Sequence, residues 1–158
     1  TPVIEIKTEI IVQAPIEVCF DLARDIDIHQ QTVWKHTKEK AVAGITSGKI
    51  GLGDRVTFQA THFGIRQKLT SEIVEYNRPY RFVDQMVRGA FKSMRHVHEF
   101  ENRSKQTLMR DTLLFEAPLG VLGFVAERMI LKKYMQRFVE DRNQELKKIA
   151  ENVAAGWE

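Results

Sequence analysis

From about Leu122 to Val153 the chain keeps the period of one amphipathic helix. Its apolar stripe runs through Leu122, Val125, Met129, Met135, Phe138, Leu146 and Ile149. At 1.5 Å per residue, some thirty residues make a rod of about 45 Å. That is too long to cap one local feature. The rod must lie across a whole sheet, whose strands have to come from the residues before it.

Those residues read as strands. Ile4, Ile6, Thr8, Ile10 and Val12 alternate with Glu5, Lys7 and Glu9, the pattern of a half-buried strand over Val3 to Val12. Ala14-Pro15 opens a short helix to about Ala23, proline suiting a first helical position, and Asp25 starts a second one to about Gln31. Glu39 to Ala43 is a short strand. Beyond Gly53 comes an antiparallel meander. Val56, Phe58 and Ala60 face inward, the chain turns at Phe63-Gly64, and Gln67, Leu69, Ser71 and Ile73 continue the inner face. After the turn Asn77-Arg78-Pro79 come Phe82, Asp84 and Met86, then a tight connection at Gly89-Ala90. Two strands between Phe91 and Phe115 are joined by a hairpin at Asn102 to Lys105, and Pro118 and Gly120 end the sheet. No repeat, low-complexity tract or linker interrupts the chain, so residues 1–158 are expected to form a single domain.

Gly44, Gly48, Gly51 and Gly53 crowd one segment. A phosphate cradle would need a strand before it and a helix after it, and Arg55 to Phe63 has strand character instead. A flexible loop over a cavity mouth is the expectation, with ligand access past it.

Composition excludes several classes. A chain that is 43% hydrophobic and 28% charged is an ordinary globular domain. The net charge of +3 is a slight imbalance, and Lys132-Lys133 and Lys147-Lys148 are interleaved with Glu140, Asp141, Glu145 and Glu151. No nucleic-acid face is expected. No stretch approaches the length of a membrane span. Cys19, the only cysteine, lies among Val18, Phe20 and Leu22 with no histidine near it in sequence, so it reads as a buried, inert thiol. That fits a reducing cytoplasm, and no signal-peptide pattern is visible from Thr1 onward.

The chemistry concentrates between Phe91 and Phe115. His96 and His98 share a strand face with Met94 and Phe100, and Asp111 shares one with Leu113 and Phe115. Ionisable groups on an apolar face cost free energy unless paired, which points to a lined cavity instead of a solid core. Pairing the last hairpin around Arg103-Ser104 sets His96 opposite Asp111 and His98 opposite Met109, and pairing about Gly89-Ala90 brings Asp84 near His96. Four readings stay open. The pair can satisfy itself as a cross-strand hydrogen bond, orient a ligand, act as a carboxylate-oriented general base, or hold a metal through His96, His98 and Asp111 or Asp84. No serine or thiol nucleophile accompanies them, so acyl transfer is disfavoured.

The order strand, two short helices, six strands, long helix is the helix-grip order. The chain resembles the START-like superfamily, also called SRPBCC, which includes polyketide cyclases and the birch-pollen-allergen family. The resemblance rests on Ala14-Pro15 through Phe20, Asp25, Gly53-Asp54 and Asn77-Arg78-Pro79-Tyr80-Arg81-Phe82. Gly89, Phe91, His96-x-His98-x-Phe100, Thr107-Leu108-Met109-x-Asp111 and Phe115-x-x-Pro118 extend it over essentially the whole chain, and the last group is similar to a bacterial ligand-binding branch. It implies an α+β fold: a curved antiparallel seven-stranded sheet wrapped around the C-terminal helix, with a hydrophobic cavity between them. Members bind lipids, sterols, polyketides or plant hormones, and a minority are cyclases, dehydratases or hydrolases. They share no catalytic set that could be carried onto these positions.

The expected function is therefore binding of a small, largely hydrophobic ligand, lipid- or polyketide-like. Its contacts would be Phe58, Gln67, Leu69, Ile73, Phe82, Asp84, Met94, His96, His98, Asp111, Leu113 and Phe138. The alternative is a cyclase or dehydratase using His96 with Asp111 in the same cavity. No cofactor and no metal are expected, and self-association stays open. Arg95 and Arg110 should point to solvent; Arg142 falls near the inner stripe, either snorkelling or anchoring an acidic ligand. Trp34 should pack near the cavity entrance, and His29, His36 and His62 are expected at the surface or an edge.

Overall fold

The computed structural model describes residues 3–117 and 125–156. β1 (Ile4–Val12) is followed by α1 (Ile16–Ala23), α2 (Ile26–Thr32), a short 3-10 turn (Lys35–Thr37) and β2 (Lys40–Gly44). The meander is β3 (Arg55–His62), β4 (Ile65–Asn77), β5 (Arg81–Arg88), β6 (Ser93–Arg103) and β7 (Gln106–Glu116), and α3 (Val125–Ala154) is the last described element. Seven antiparallel strands form one sheet in the order β1-β7-β6-β5-β4-β3-β2. This is the α+β helix-grip architecture. Two expected features, Leu122 in the helix stripe and the sheet end at Pro118 and Gly120, lie outside the described residues.

Turns and bulges shape the sheet. The β3–β4 hairpin closes on Phe63 and Gly64, both with positive φ (52° and 75°), the two-residue turn whose twist matches the flanking strands. Irregularities at Ala41/Ala43, Thr70/Ser71 and Ile73/Glu75 bend the ladder locally. The last of these inserts Val74 and switches the phase of β4, so that Tyr76 joins Ile73 in packing on the core. At Gly44, with φ 72°, a Cβ would meet the Arg55 carbonyl oxygen at 2.3 Å, which requires glycine.

The β6–β7 register corrects the sequence expectation by two residues. The hairpin turns on Ser104 and Lys105, with Arg103 opposite Gln106. His98, not His96, therefore stands opposite Asp111, and His96 stands opposite Leu113. A two-residue slip leaves every side chain on its original face. Asp84 does stand opposite His96.

One end of the concave face is plugged by α1. Phe20 is fully buried, its ring edge-on to Tyr76, Phe82 and Phe100 at centroid distances of 5.3–5.5 Å. Pro15 precedes the helix in an extended conformation with no side-chain cap, whereas Asp25 caps α2 by accepting from the Asp27 and Ile28 amides. Along α3 the buried residues are Leu131, Val139, Arg142, Asn143, Leu146 and Ala150. Met135, Phe138 and Ile149 are half-buried and Met129 is exposed. The inner stripe passes through two polar residues, and for that reason hydrophobicity alone misplaces part of it.

The glycine-rich segment is bound to the α1–α2 junction. The Ile26 amide donates to the Gly48 carbonyl (2.8 Å), the Ile50 amide to the Arg24 carbonyl (3.0 Å), and the Gly48 amide to Asp27 Oδ2 (3.0 Å). It is followed by β3, without the helix a phosphate cradle needs.

Candidate functional site

Between the concave face of the sheet, the inner face of α3 and the α1–α2 junction lies a cavity of about 680 Å³. Its walls are largely apolar. Phe58, Ile73, Phe82 and Leu113 come from the sheet, and Leu131, Met135, Phe138 and Val139 from α3. The large apolar wall residues most open to solvent are Phe63, Ile65 and Ile130, at the β3–β4 hairpin tip and the start of α3. Among the described residues, access therefore lies at that end. The glycine-rich loop, stitched down as described above, contributes Ile50 to the wall.

A polar corner built around His96 and His98 interrupts the apolar wall. His98 is buried; its Nε2 hydrogen-bonds to Asp84 Oδ2 at 2.7 Å, and its Nδ1 lies in ion-pair contact with Asp111 Oδ1 at 3.2 Å. Carboxylates only accept, so a ring set between the two of them is favoured as the imidazolium, with a proton toward each. Burial alone would push the His98 pKa down, but its interactions with the accepting carboxylates of Asp111 and Asp84 outweigh it and hold it above the ordinary value. His96 stacks on His98 and places Nε2 2.7 Å from Asp111 Oδ1. Burial, reinforced by the charge on His98, holds His96 below its ordinary value. It is the neutral member, donating Nε2–H to Asp111 and leaving Nδ1 with a free lone pair.

Both carboxylates stay ionised. Burial would raise them, but hydrogen bonds and charge from the histidines win, and Asp111 lies well below the usual carboxylate range. Asp111 also accepts from Asn143 Nδ2 at 2.6 Å. Asp84 faces the cavity with 26% of its side chain accessible, while Asp111 sits behind the histidines at 4%. Asp84, His96 and His98 each offer one donor atom within 4.8 Å of the others, a group that could hold a metal if the proton between Asp84 and His98 were displaced.

A second polar group was not legible as a constellation. His29 Nε2 lies 2.5 Å from Glu39 Oε2, and His62 Nδ1 lies 2.6 Å from the Tyr134 hydroxyl. All four residues line the cavity, which corrects the expectation that His29 and His62 sit at the surface or an edge. His36 is exposed, as expected. The signal for His62 was present: it continues the inward alternation Val56, Phe58, Ala60 by one more step. For His29, at one helical face among polar neighbours, there was none.

The remaining expected contacts divide clearly. Gln67, Leu69, Met94 and Phe138 line the cavity, as do Phe58, Ile73, Phe82, Asp84, His96, His98 and Leu113. Asp111 does not; it supports the wall from behind. Arg142, buried on α3, lines the cavity and donates to the Ala23 carbonyl, so it does not snorkel. Trp34 packs edge-on against Tyr134 and Phe138 and donates Nε1–H to Asp141. Arg95 pairs with Glu75 and Arg110 with Glu9 on the opposite face of the sheet. Cys19 is fully buried, and burial pushes its thiol up to about 11.

A curved sheet gripping a terminal helix around an apolar cavity defines the START-like, or SRPBCC, class. The family model described as polyketide cyclase / dehydrase and lipid transport matches residues 3–151, and the chain belongs to that family. Solved structures share the fold. TTHA0849 from Thermus thermophilus is 22% identical with a TM-score of 0.75, over 91% of this chain and 94% of that one. A START superfamily protein from Mycobacterium smegmatis is 15% identical with a TM-score of 0.72, over 94% and 98%. Ginseng major latex-like protein 151 from Panax ginseng is 12% identical with a TM-score of 0.65, over 94% and 97%. Among curated proteins, none matches the chain. No described helix is long and apolar enough to cross a membrane.

Proposed function

We propose that the chain binds a small, largely apolar molecule, lipid- or polyketide-like, in the cavity between sheet and α3. The observation that carries this reading is a space of about 680 Å³ with largely apolar walls and a few organised polar groups, the combination a binding site needs to hold and orient a ligand. His96 Nδ1 can accept a hydrogen bond from the ligand and Asp84 can accept another. The test is Leu69→Trp, which fills the wall. Native mass spectrometry of freshly purified protein should find a bound small molecule in the parent and none in the folded variant. Unchanged occupancy in the variant would overturn the reading.

A second reading, a cyclase or dehydratase, is favoured by the 2.7 Å contact between His96 and Asp111. A neutral imidazole with Nδ1 as acceptor can take a proton from carbon next to a carbonyl, the enolate formed and the carboxylates of Asp111 and Asp84 offsetting the repulsion from His98 on the imidazolium. His96→Ala should then abolish turnover of a polyketide substrate; parent-like turnover would end this idea.

A further inference from the structure

Arg142 is 6% exposed and faces the cavity. Its Nη2 donates to the Ala23 carbonyl at 3.2 Å, whereas its Nε is buried with no acceptor among the described residues. A guanidinium carries five N–H donors, and burying one away from an anion is costly unless something pairs with it. The two nearby carboxylates feel its charge but are committed elsewhere. Glu39 lies 2.5 Å from His29, and Asp84 lies 2.7 Å from His98. Among the described residues Arg142 makes no ion pair at contact distance.

We propose that Arg142 anchors an acidic group on the occupant of this cavity, so that the ligand is an amphipathic organic anion: an apolar body carrying one carboxylate or comparable oxyanion. This rests on the binding function proposed above. The planar fork of a guanidinium matches the two oxygens of such a group. The carboxylates near Arg142 are already held by histidines, Glu39 by His29 and Asp84 by His98, so the acid end of the ligand lies toward the guanidinium. The neutral oxygens of the ligand are left to His96 and Asp84.

The test uses phenylnaphthylamine, a neutral apolar fluorophore, as reporter of the cavity, displaced by decanoate or by decanol. On the parent protein decanoate should displace it at least as well as decanol, although water solvates the carboxylate far better. Arg142→Gln should weaken decanoate by about ten- to hundred-fold and leave decanol unchanged. Arg142→Lys should recover part of the loss. Undiminished decanoate binding by folded Arg142→Gln overturns the proposal. So does a parent that prefers decanol, an outcome that needs no variant to fold. A parent that fails to bind the reporter at all refutes the cavity reading itself, which separates the two failures.

Discussion

His96 and His98 lie face to face, their ring centroids 3.8 Å apart and their planes 23° from parallel. Two imidazolium rings stacked at that distance would repel strongly in a buried setting, so the pair holds one proton more than two neutral rings. His98, between two carboxylates, keeps it.

Nitrogen NMR of histidine-labelled protein at neutral pH should therefore show His98 with both ring nitrogens protonated and His96 as the neutral Nε2–H tautomer. Finding His96 charged and His98 neutral would reverse the assignment of roles in the polar corner.

Asp111 holds both histidines and Asn143. Asp111→Ala leaves a buried imidazolium with one partner, and should cost about 3–5 kcal/mol in urea unfolding. A loss under about 1 kcal/mol would mean that the corner rearranges around other donors and acceptors.

The acid limb of stability follows from the direction of each shift. His96 is held below its ordinary value of 6.5, so the unfolded chain takes up that proton first, and stability begins to fall as pH drops below that value. Asp84 and Asp111, held below 3.8, add a second and steeper loss under that pH. His98 acts in the opposite sense: its contribution is complete below 6.5 and is lost as pH rises through its raised folded value. Chemical denaturation across pH should show a two-stage acid decline whose upper stage shrinks in His96→Ala, the remainder coming from His62, which burial also holds below its ordinary value. A single stage in the parent would contradict the His96 assignment.

Phe20 packs edge-on against Phe82, a residue of the cavity wall, and is fully buried. Phe20→Ala should destabilise by about 3–5 kcal/mol. Phe63, 59% exposed at the rim, should cost only about 0.5 kcal/mol when truncated. Equal losses at the two positions would show that the aromatic plug does not fix the end of the sheet.

Most of the architecture was legible because the strands alternate cleanly and the terminal helix is long. The inward set from Gln67 to Ile73 lines the cavity as the period-two pattern predicts. The hairpin register was not legible to better than two residues. Arg103, Ser104 and Lys105 are all acceptable turn residues, and both registers present the same inner face. Alternation could not anticipate the Val74 bulge, since one inserted residue changes the phase without changing composition. On α3 the inner stripe runs through Arg142, which the sequence placed near it, and Asn143, which a hydrophobic reading assigns to solvent. Their burial depends on partners distant in sequence, Ala23 for one and Asp111 with Thr8 for the other.

The contact of Asn143 with Asp111 and Thr8 ties α3 to β7 and β1 through polar atoms. Greasy surfaces alone would tolerate a ratchet of the rod by one turn, because leucine and methionine seat almost equally well in neighbouring grooves. An amide clasped by a carboxylate has only one seat. The clasp thus acts as a detent that fixes the axial position of the helix, and with it the gap between Arg142 and the stacked imidazoles, the length against which any guest molecule is measured.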